Sequence, residues 1–452
     1  MQYTASVVNQ QKMKMCRCRI KIYMAVFSGM AICLLLREKV SYSELTNWHH
    51  TQERRLYLDF KKMKSITEPM ININASTTEC GSCKNDYYST TATKVLNTEL
   101  IYLDNNKQRL ERLSRICKQK PNTFKHKSKR NPYIFNTFVS DRHNLIFCQI
   151  QKAASTFWKR IIFNQTTPGT RGLPSITNLG VAEDKFKHYF KFLFVRDPYN
   201  RLFSGYIDKL FNPNVMYWKA VGIPAKRLSN PEAKRSCGHD VTFAEFINYI
   251  IALEKTPDRR DRHFFSMYEH CAPCEHKIDY IGKMETFRND SKFILDTLKM
   301  DNSIRNQFEY MLSNSSINEI INIANRLFQF KTKILKCMTM YDAVLRIWRQ
   351  LQIKGILSRQ IVIPFKPDTV VKLTKSKFIK TVLEAYKSSK SDVSKKSNKQ
   401  DAFSEAYSTV PRQTLMRLKQ VVENDCVLFG YVTEPKRVFN AQSFVKSNFF
   451  KL

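Results

Sequence analysis

The stretch KFLFVRDPYNRLFSGYIDKL, Lys191 to Leu210, decides how the chain folds. Phe192, Leu193, Phe194 and Val195 form an unbroken apolar run, the pattern of a strand buried on both faces. Arg196-Asp197-Pro198 ends it. Helical spacing follows from Tyr199, with Asp197 suited to cap the helix and Pro198 to its first turn. Leu202, Tyr206 and Leu210 recur at four-residue steps and mark the face turned to the core. Arg196 therefore stands at the carboxyl end of a strand, where open α/β sheets bind ligands, and Ser204 lies along the following helix. A planar guanidinium donates two parallel hydrogen bonds and suits a terminal phosphate; the plainer alternative pairs Arg196 with a carboxylate as structural glue.

A second strand-loop-helix unit lies upstream. Asn144 to Gln151, NLIFCQIQ, reads as a short buried strand, followed by Lys152-Ala153-Ala154-Ser155-Thr156 and then FWKRIIF from Phe157 at helical spacing. Backbone N–H groups at a helix start, the helix dipole and the Lys152 ammonium together make an anion cradle. A capped turn with a solvated Lys is the alternative. The pattern G-x-x-x-x-G-K-[ST] is absent, which disfavours a nucleotide kinase.

These two units resemble the nucleotide-binding signatures of the Golgi carbohydrate sulfotransferases, in particular the chondroitin/dermatan 4-O and HNK-1 group. Val241-Thr-Phe-Ala-Glu-Phe246, Cys271-Ala-Pro-Cys274, Asp279-Tyr-Ile-Gly-Lys-Met-Glu-Thr286 and Leu428-Phe-Gly-Tyr431 extend the likeness over roughly residues 144 to 431. The resemblance implies an α/β, three-layer, P-loop-like sulfotransferase domain with a central parallel sheet. It implies 3′-phosphoadenosine-5′-phosphosulfate as donor and an acidic glycan acceptor, such as a glycosaminoglycan on a proteoglycan. Gln151, Lys152, Ala153, Ala154, Ser155, Thr156 and Phe157 are then the loop around the 5′-phosphosulfate, with Lys152 as main cation. Arg196 and Ser204 grip the 3′-phosphate, and Asp197 and Arg201 belong to the same signature. Two departures stand out: Gln151 where the family usually has Pro, and Phe264 where it has Trp.

Sulfuryl transfer is an in-line displacement in which the protein positions both partners and stabilises charge, and no metal is required where cationic side chains do that work. Lys152 is placed to neutralise the leaving phosphate. The acceptor hydroxyl must lose a proton, and His263, within Asp261-Arg-His-Phe, matches the family's histidine and is the candidate base. A catalytically weak, membrane-anchored relative that binds polyanionic glycans is the second reading, kept open by Gln151 and Phe264.

The chain has 452 residues, 75 Lys+Arg against 39 Asp+Glu, and a formal charge of +36, with 43% apolar residues. That composition excludes a disordered chain and points to an anionic partner. Ile22 to Leu36, IYMAVFSGMAICLLL, is uncharged and preceded by five basic residues from Lys12 to Lys21. It reads as a membrane anchor, with a cleaved signal peptide and a core helix as alternatives. The basic flank predicts a type II topology with the body outside the cytosol, which removes nucleic acid as a partner. Four glycosylation sequons, at Asn74, Asn164, Asn289 and Asn314, agree with it.

The expected organisation is a cytosolic tail (1–19), a transmembrane signal-anchor (20–36), a stem (37–132), a lumenal sulfotransferase domain (133–436) and a C-terminal tail (437–452). KSSKSDVSKKSNK, from Lys387 to Lys399, reads as a disordered insertion spanning 387–400. Nine cysteines follow the anchor, an odd number that leaves one thiol over. Disulfides are favoured over a zinc site built from Cys80/Cys83 and Cys271/Cys274, whose separation lacks zinc-ribbon spacing. Asn212 to Asp240, with Trp218, Lys219, Lys226, Arg227, Lys234 and Arg235, reads equally well as a cationic acceptor groove or a solvated face.

Overall fold

The structure, a computed structural model, describes residues 105–124, 137–163, 187–231, 237–256, 260–445 and 447–452. All lie in the compact unit that runs from Lys84 to Leu452. The Ile22 to Leu36 run and Cys80/Cys83 lie outside the described residues. Among the described residues no helix is long and apolar enough to cross a membrane.

Four strands form one mixed sheet: β1 (Thr137–Ser140), β2 (Leu145–Cys148), β3 (Phe190–Val195) and β4 (Tyr280–Lys283), in that spatial order. The sheet is therefore not wholly parallel as expected. β1 and β2 are joined by a single tight turn, Asp141–His143, closed by Asn144 at φ 48°, and so short a link allows only antiparallel pairing. β2, β3 and β4 are mutually parallel, since longer connections separate them. Cys148 pairs with Leu193 and Val195 with Lys283, so the loops after all three strands open at the same edge of the sheet.

The core explains why the strand sequences are apolar without alternation. Phe147, Phe192 and Phe194 are fully buried and pack against Trp158 of the Ser155–Phe163 helix, with the Phe192 and Trp158 rings 4.8 Å apart. A Cβ on Gly282 would meet the Phe194 ring at 2.4 Å, so β4 needs glycine to approach β3 here. Leu202, Tyr206 and Leu210 face a second core built with Phe243, Phe246, Phe403, Tyr407 and Leu418, as their spacing predicted.

Three expected boundaries change. A helix over residues 105–119, placed in the stem by the sequence, packs along β4. Asn106 accepts from the Ile281 N–H and donates to the Asp279 carbonyl, while Arg109 reaches the Ile281 carbonyl at 2.7 Å and Asp290 at 2.9 Å. Leu113 and Ile116 bury into the sheet's core, which is why this part cannot be a free stem. The polar tract 387–400 is ordered and mostly helical: it ends the Lys375–Ser388 helix, makes a turn at Ser394–Lys396 and opens the Asn398–Ser408 helix. Its Ser, Asp and Lys side chains are spent on turn hydrogen bonds, such as Ser394 Oγ to Asp392 and Lys395 Nζ to the Ser389 carbonyl. The end of the chain is also packed, with Phe449 fully buried and its N–H donating to Glu405.

Among the described residues the cysteines pair as Cys117–Cys274, Cys148–Cys271 and Cys237–Cys337, leaving Cys426 free and buried. Cys271 and Cys274 thus serve two different bridges.

Candidate active site

The Lys152 loop leaves β2 in an unusual backbone. Lys152 has φ 70° and Ala154 φ 56°, both in the left-handed region that side chains disfavour, with Ala153 between them. Alternating conformations of this kind turn successive N–H groups toward one concave side, an anion-binding nest, and such strain collects at functional sites. Ala153 is fully buried, and the Ser155–Phe163 helix begins at once after the loop. Phe157 contributes only backbone here, since its ring packs edge-on to Phe287 and Phe308. Ser155 is half-buried and Thr156 exposed.

The Lys152 ammonium is paired with Asp208 Oδ2, and Asp208 Oδ1 takes Lys354 Nζ at 2.6 Å and Gln350 Nε2 at 3.1 Å. Lys354 also pairs with Glu319 at 2.5 Å. Burial, partly offset by Asp208, pushes Lys152 down from the ordinary lysine range. Asp208 is held well below the usual carboxylate range because the pull of Lys152 and Lys354 outweighs its own burial.

Arg196 leaves β3 and donates NH1 to the Lys152 carbonyl at 3.3 Å, tying the two loops together. Its other guanidinium N–H groups have no protein acceptor among the described residues. The half-buried Ser204 hydroxyl has none either. Both are thus available to a ligand, in contrast with two residues of the same signature. Asp197 caps the Pro198–Tyr206 helix through the Asn200 N–H at 2.8 Å, and its own N–H donates to Glu285 at 3.1 Å. A carboxylate used in this way, facing phosphate, is a positioning group and not a ligand. Arg201 is buried and donates to the carbonyls of Gln151 (2.9 Å), Phe265 (2.7 Å) and Arg262 (3.2 Å), with His270 Nε2 at 3.2 Å. It too is corrected from ligand to strut: it ties the Lys152 loop to the segment carrying His263. Gln151 holds that strut by its backbone, while its side-chain Oε1 is buried without a partner among the described residues.

His263 is locked by its neighbours. Nδ1 lies 2.7 Å from Asp261 Oδ1 and 2.9 Å from the Tyr217 hydroxyl, and among the described residues no protein group takes Nε2. Asp261 thus favours the tautomer with the proton on Nδ1 and a lone pair on Nε2. Burial, then the like charge of Lys209, push His263 down to about 4 against the pull of Asp261, so the ring is neutral at pH 7. Lys152 lowers it further, which places both in one electrostatic neighbourhood. Lys209, 4.4 Å from the Tyr217 ring centre, is itself pushed down to about 8 by burial and by Lys152. Phe264 is buried beside His263, edge-on to Phe246 and against Gly205, where a Cβ would meet the ring at 2.7 Å. The departure from Trp is therefore filled by core packing.

Among the acceptor-loop candidates, Trp218 is buried with Nε1 donating to the Leu210 carbonyl, and Lys226 is bound to Asp240 and Glu245. Lys219 and Arg227 are exposed. Lys234 and Arg235 lie outside the described residues. Asp208, Lys354, Tyr217 and Glu285 escaped the sequence reading. Asp208 alone carried a signal, one helical turn beyond Ser204. Among the described residues no group of three or more His, Cys, Asp or Glu is arranged to hold a metal.

A strand-edge anion cradle, an Arg–Ser pair and a neutral, carboxylate-oriented histidine thus stand near one another, without a P-loop glycine motif. Comparison with known proteins narrows this. Residues 135–350 match the profile described as Sulfotransferase family. Similar curated proteins include carbohydrate sulfotransferase 14 of Danio rerio, 29% identical over 39% of this chain and 52% of its own length. Carbohydrate sulfotransferase 8 of Mus musculus is 26% identical over 54% of this chain and 60% of its own, and carbohydrate sulfotransferase 10 of Pongo abelii 28% over 45% and 63%. The chain thus spans about half to two thirds of the length of the curated relatives it matches. No solved structure matches it.

Proposed function

We propose that this protein transfers a sulfuryl group from 3′-phosphoadenosine-5′-phosphosulfate to a hydroxyl of an acidic, chondroitin- or dermatan-like glycan. We place it in the Golgi as a single-pass type II glycoprotein with its catalytic domain in the lumen. The observation that carries the reading is the meeting, after β2 and β3, of the Lys152 loop with Arg196 and Ser204, where the Ser204 hydroxyl and the Arg196 N–H groups other than NH1 have no protein acceptor among the described residues. The donor fits that set. The cradle and Lys152 suit its 5′-phosphosulfate, and Arg196 with Ser204 its 3′-phosphate.

In the reaction the acceptor oxygen forms a bond to sulfur as the bond from sulfur to the bridging phosphate oxygen breaks. The hydroxyl proton goes to His263 Nε2, and the bisphosphate leaves with its new charge met by Lys152. Asp261 keeps the imidazole in the accepting tautomer and stabilises the imidazolium that forms. Lys152 begins paired to Asp208, so the donor must draw the ammonium across. Lys354 and Gln350 remain to hold Asp208 when that happens.

The test is incubation of the full chain with radiolabelled donor and a panel of desulfated glycosaminoglycans. Transfer that is lost in Lys152→Ala, Arg196→Ala and His263→Ala is expected. Donor binding without transfer to any glycan overturns the enzymatic reading.

A further inference from the structure

The Pro198–Tyr206 helix continues into Ile207–Phe211 as a π-helical turn, a local widening often found at functional sites. This turn gives two consecutive side chains different tasks. Asp208 takes Lys152 and Lys354, while Lys209 lies over the Tyr217 ring with its ammonium 4.4 Å from the ring centre. The next residue on each segment holds that placement. Trp218, buried, donates Nε1 to the Leu210 carbonyl at 2.9 Å, which fixes the segments carrying Tyr217 and Lys209 in register. The Tyr217 hydroxyl in turn lies 2.9 Å from His263 Nδ1, with the two rings perpendicular. Lys209 and His263 therefore flank one tyrosine, the ammonium over its face and the imidazole at its hydroxyl.

The ammonium has no oxygen to donate to. A ring face offers only a weak attraction, and among the described residues no carboxylate or carbonyl accepts from Lys209. The carboxylates whose charge it feels are already spent: Asp208 on Lys152, Lys354 and Gln350, and Asp261 on the N–H and ring of His263. Half-buried, Lys209 has also lost part of its hydration, in keeping with its lowered pKa. Such a cation is satisfied by an anion that arrives with a ligand. The donor's charges are met by the Lys152 cradle and Arg196, which leaves the acceptor's own charge for Lys209. In an unsulfated glycosaminoglycan that charge is the carboxylate of its uronate sugars.

We propose that Lys209 is an acceptor-specificity residue, taking a uronate carboxylate of the glycan while the hydroxyl to be sulfated lies at His263 Nε2. This rests on the transferase reading above and adds a contact outside the Asn212 to Asp240 tract. Tyr217 is the spacer: by holding the ammonium and the imidazole a fixed distance apart, it selects which hydroxyl, relative to the carboxylate, meets the base.

The experiment compares transfer by the full chain, at pH 7, to chondroitin and to the same polymer with its carboxyl groups reduced to alcohols. For the wild type, reduction is expected to raise KM about tenfold, the size of one charge-assisted hydrogen bond. Lys209→Ala is expected to raise KM for chondroitin by about the same factor with kcat within about twofold, and to change KM for the reduced polymer less than about twofold. Lys209→Arg is expected to keep KM for chondroitin within about threefold of the wild type. Binding of 3′-phosphoadenosine-5′-phosphate, measured by calorimetry, and the unfolding midpoint are expected to stay unchanged in both variants. Equal losses on the two polymers, a loss confined to kcat, weakened nucleotide binding, no loss in Lys209→Ala, no rescue by Arg, or a wild type indifferent to carboxyl reduction overturns the inference while leaving the transferase reading standing. Wild-type protein that transfers to neither polymer overturns the inference, and one that transfers to no glycan of the panel above overturns both.

Discussion

Removing the Cys148–Cys271 bridge as the double variant Cys148→Ala/Cys271→Ala tests how the active-site loop is held. The bridge joins the end of β2, four residues before Lys152, to the Met267–Cys271 helix that follows His263. Taken alone it closes a separation of 123 residues, for which chain entropy gives about 4.9 kcal/mol. The neighbouring Cys117–Cys274 bridge shortens the path. Through it the route is 31 residues from Cys117 to Cys148 and 3 from Cys271 to Cys274, a closed loop of about 34. The incremental stabilisation is then about 3.8 kcal/mol. Removing either bridge alone should cost about that much and lower the melting temperature by about 6 °C, whereas removing both should cost about 8.7 kcal/mol, more than the two separate losses combined. Guanidinium unfolding followed by tryptophan fluorescence measures this, because Trp158, Trp218 and Trp348 are all buried. Strictly additive losses, or a loss under about 1 kcal/mol for either pair, would refute the interlocked-loop reasoning.

Three further outcomes follow from the site. The kcat/KM profile should fall below about pH 4, where His263 takes a proton and ceases to be a base. Arg196→Ala should weaken donor binding by about ten- to a hundredfold at unchanged melting temperature, while Arg201→Lys, which keeps the charge but not the fork bridging three carbonyls, should lose about 2–4 kcal/mol of stability, read by denaturant unfolding.

Local patterns carried the sequence reading a long way. The apolar run at Phe192–Val195, the Asp197 cap, Pro198 in the first helical turn and the four-residue steps to Leu210 all reflect forces acting within a few residues, and each is found in place. What distance assembles was not legible. Arg201 sits in the nucleotide signature, yet its donors are consumed by carbonyls at 151, 262 and 265 that only the fold brings near. Lys354 reaches Asp208 from a helix some 145 residues later, with no periodicity to announce it. The tract from Lys387 to Lys399 misled because its composition is that of a solvated loop. Its order comes from capping and turn hydrogen bonds made by the same polar residues. Antiparallel β1 was missed because a three-residue turn carries little hydrophobic signal.

The helix over residues 105–119 also decides where force enters the domain. β4 is an edge strand, and this helix closes its open side through Asn106 and Arg109 while Cys117–Cys274 rivets its far end. Tension on the chain ahead of residue 105 therefore pulls along that strand edge against several hydrogen bonds at once, and past Cys117 the covalent path runs through Cys274 and Cys271 to Cys148 at the end of β2.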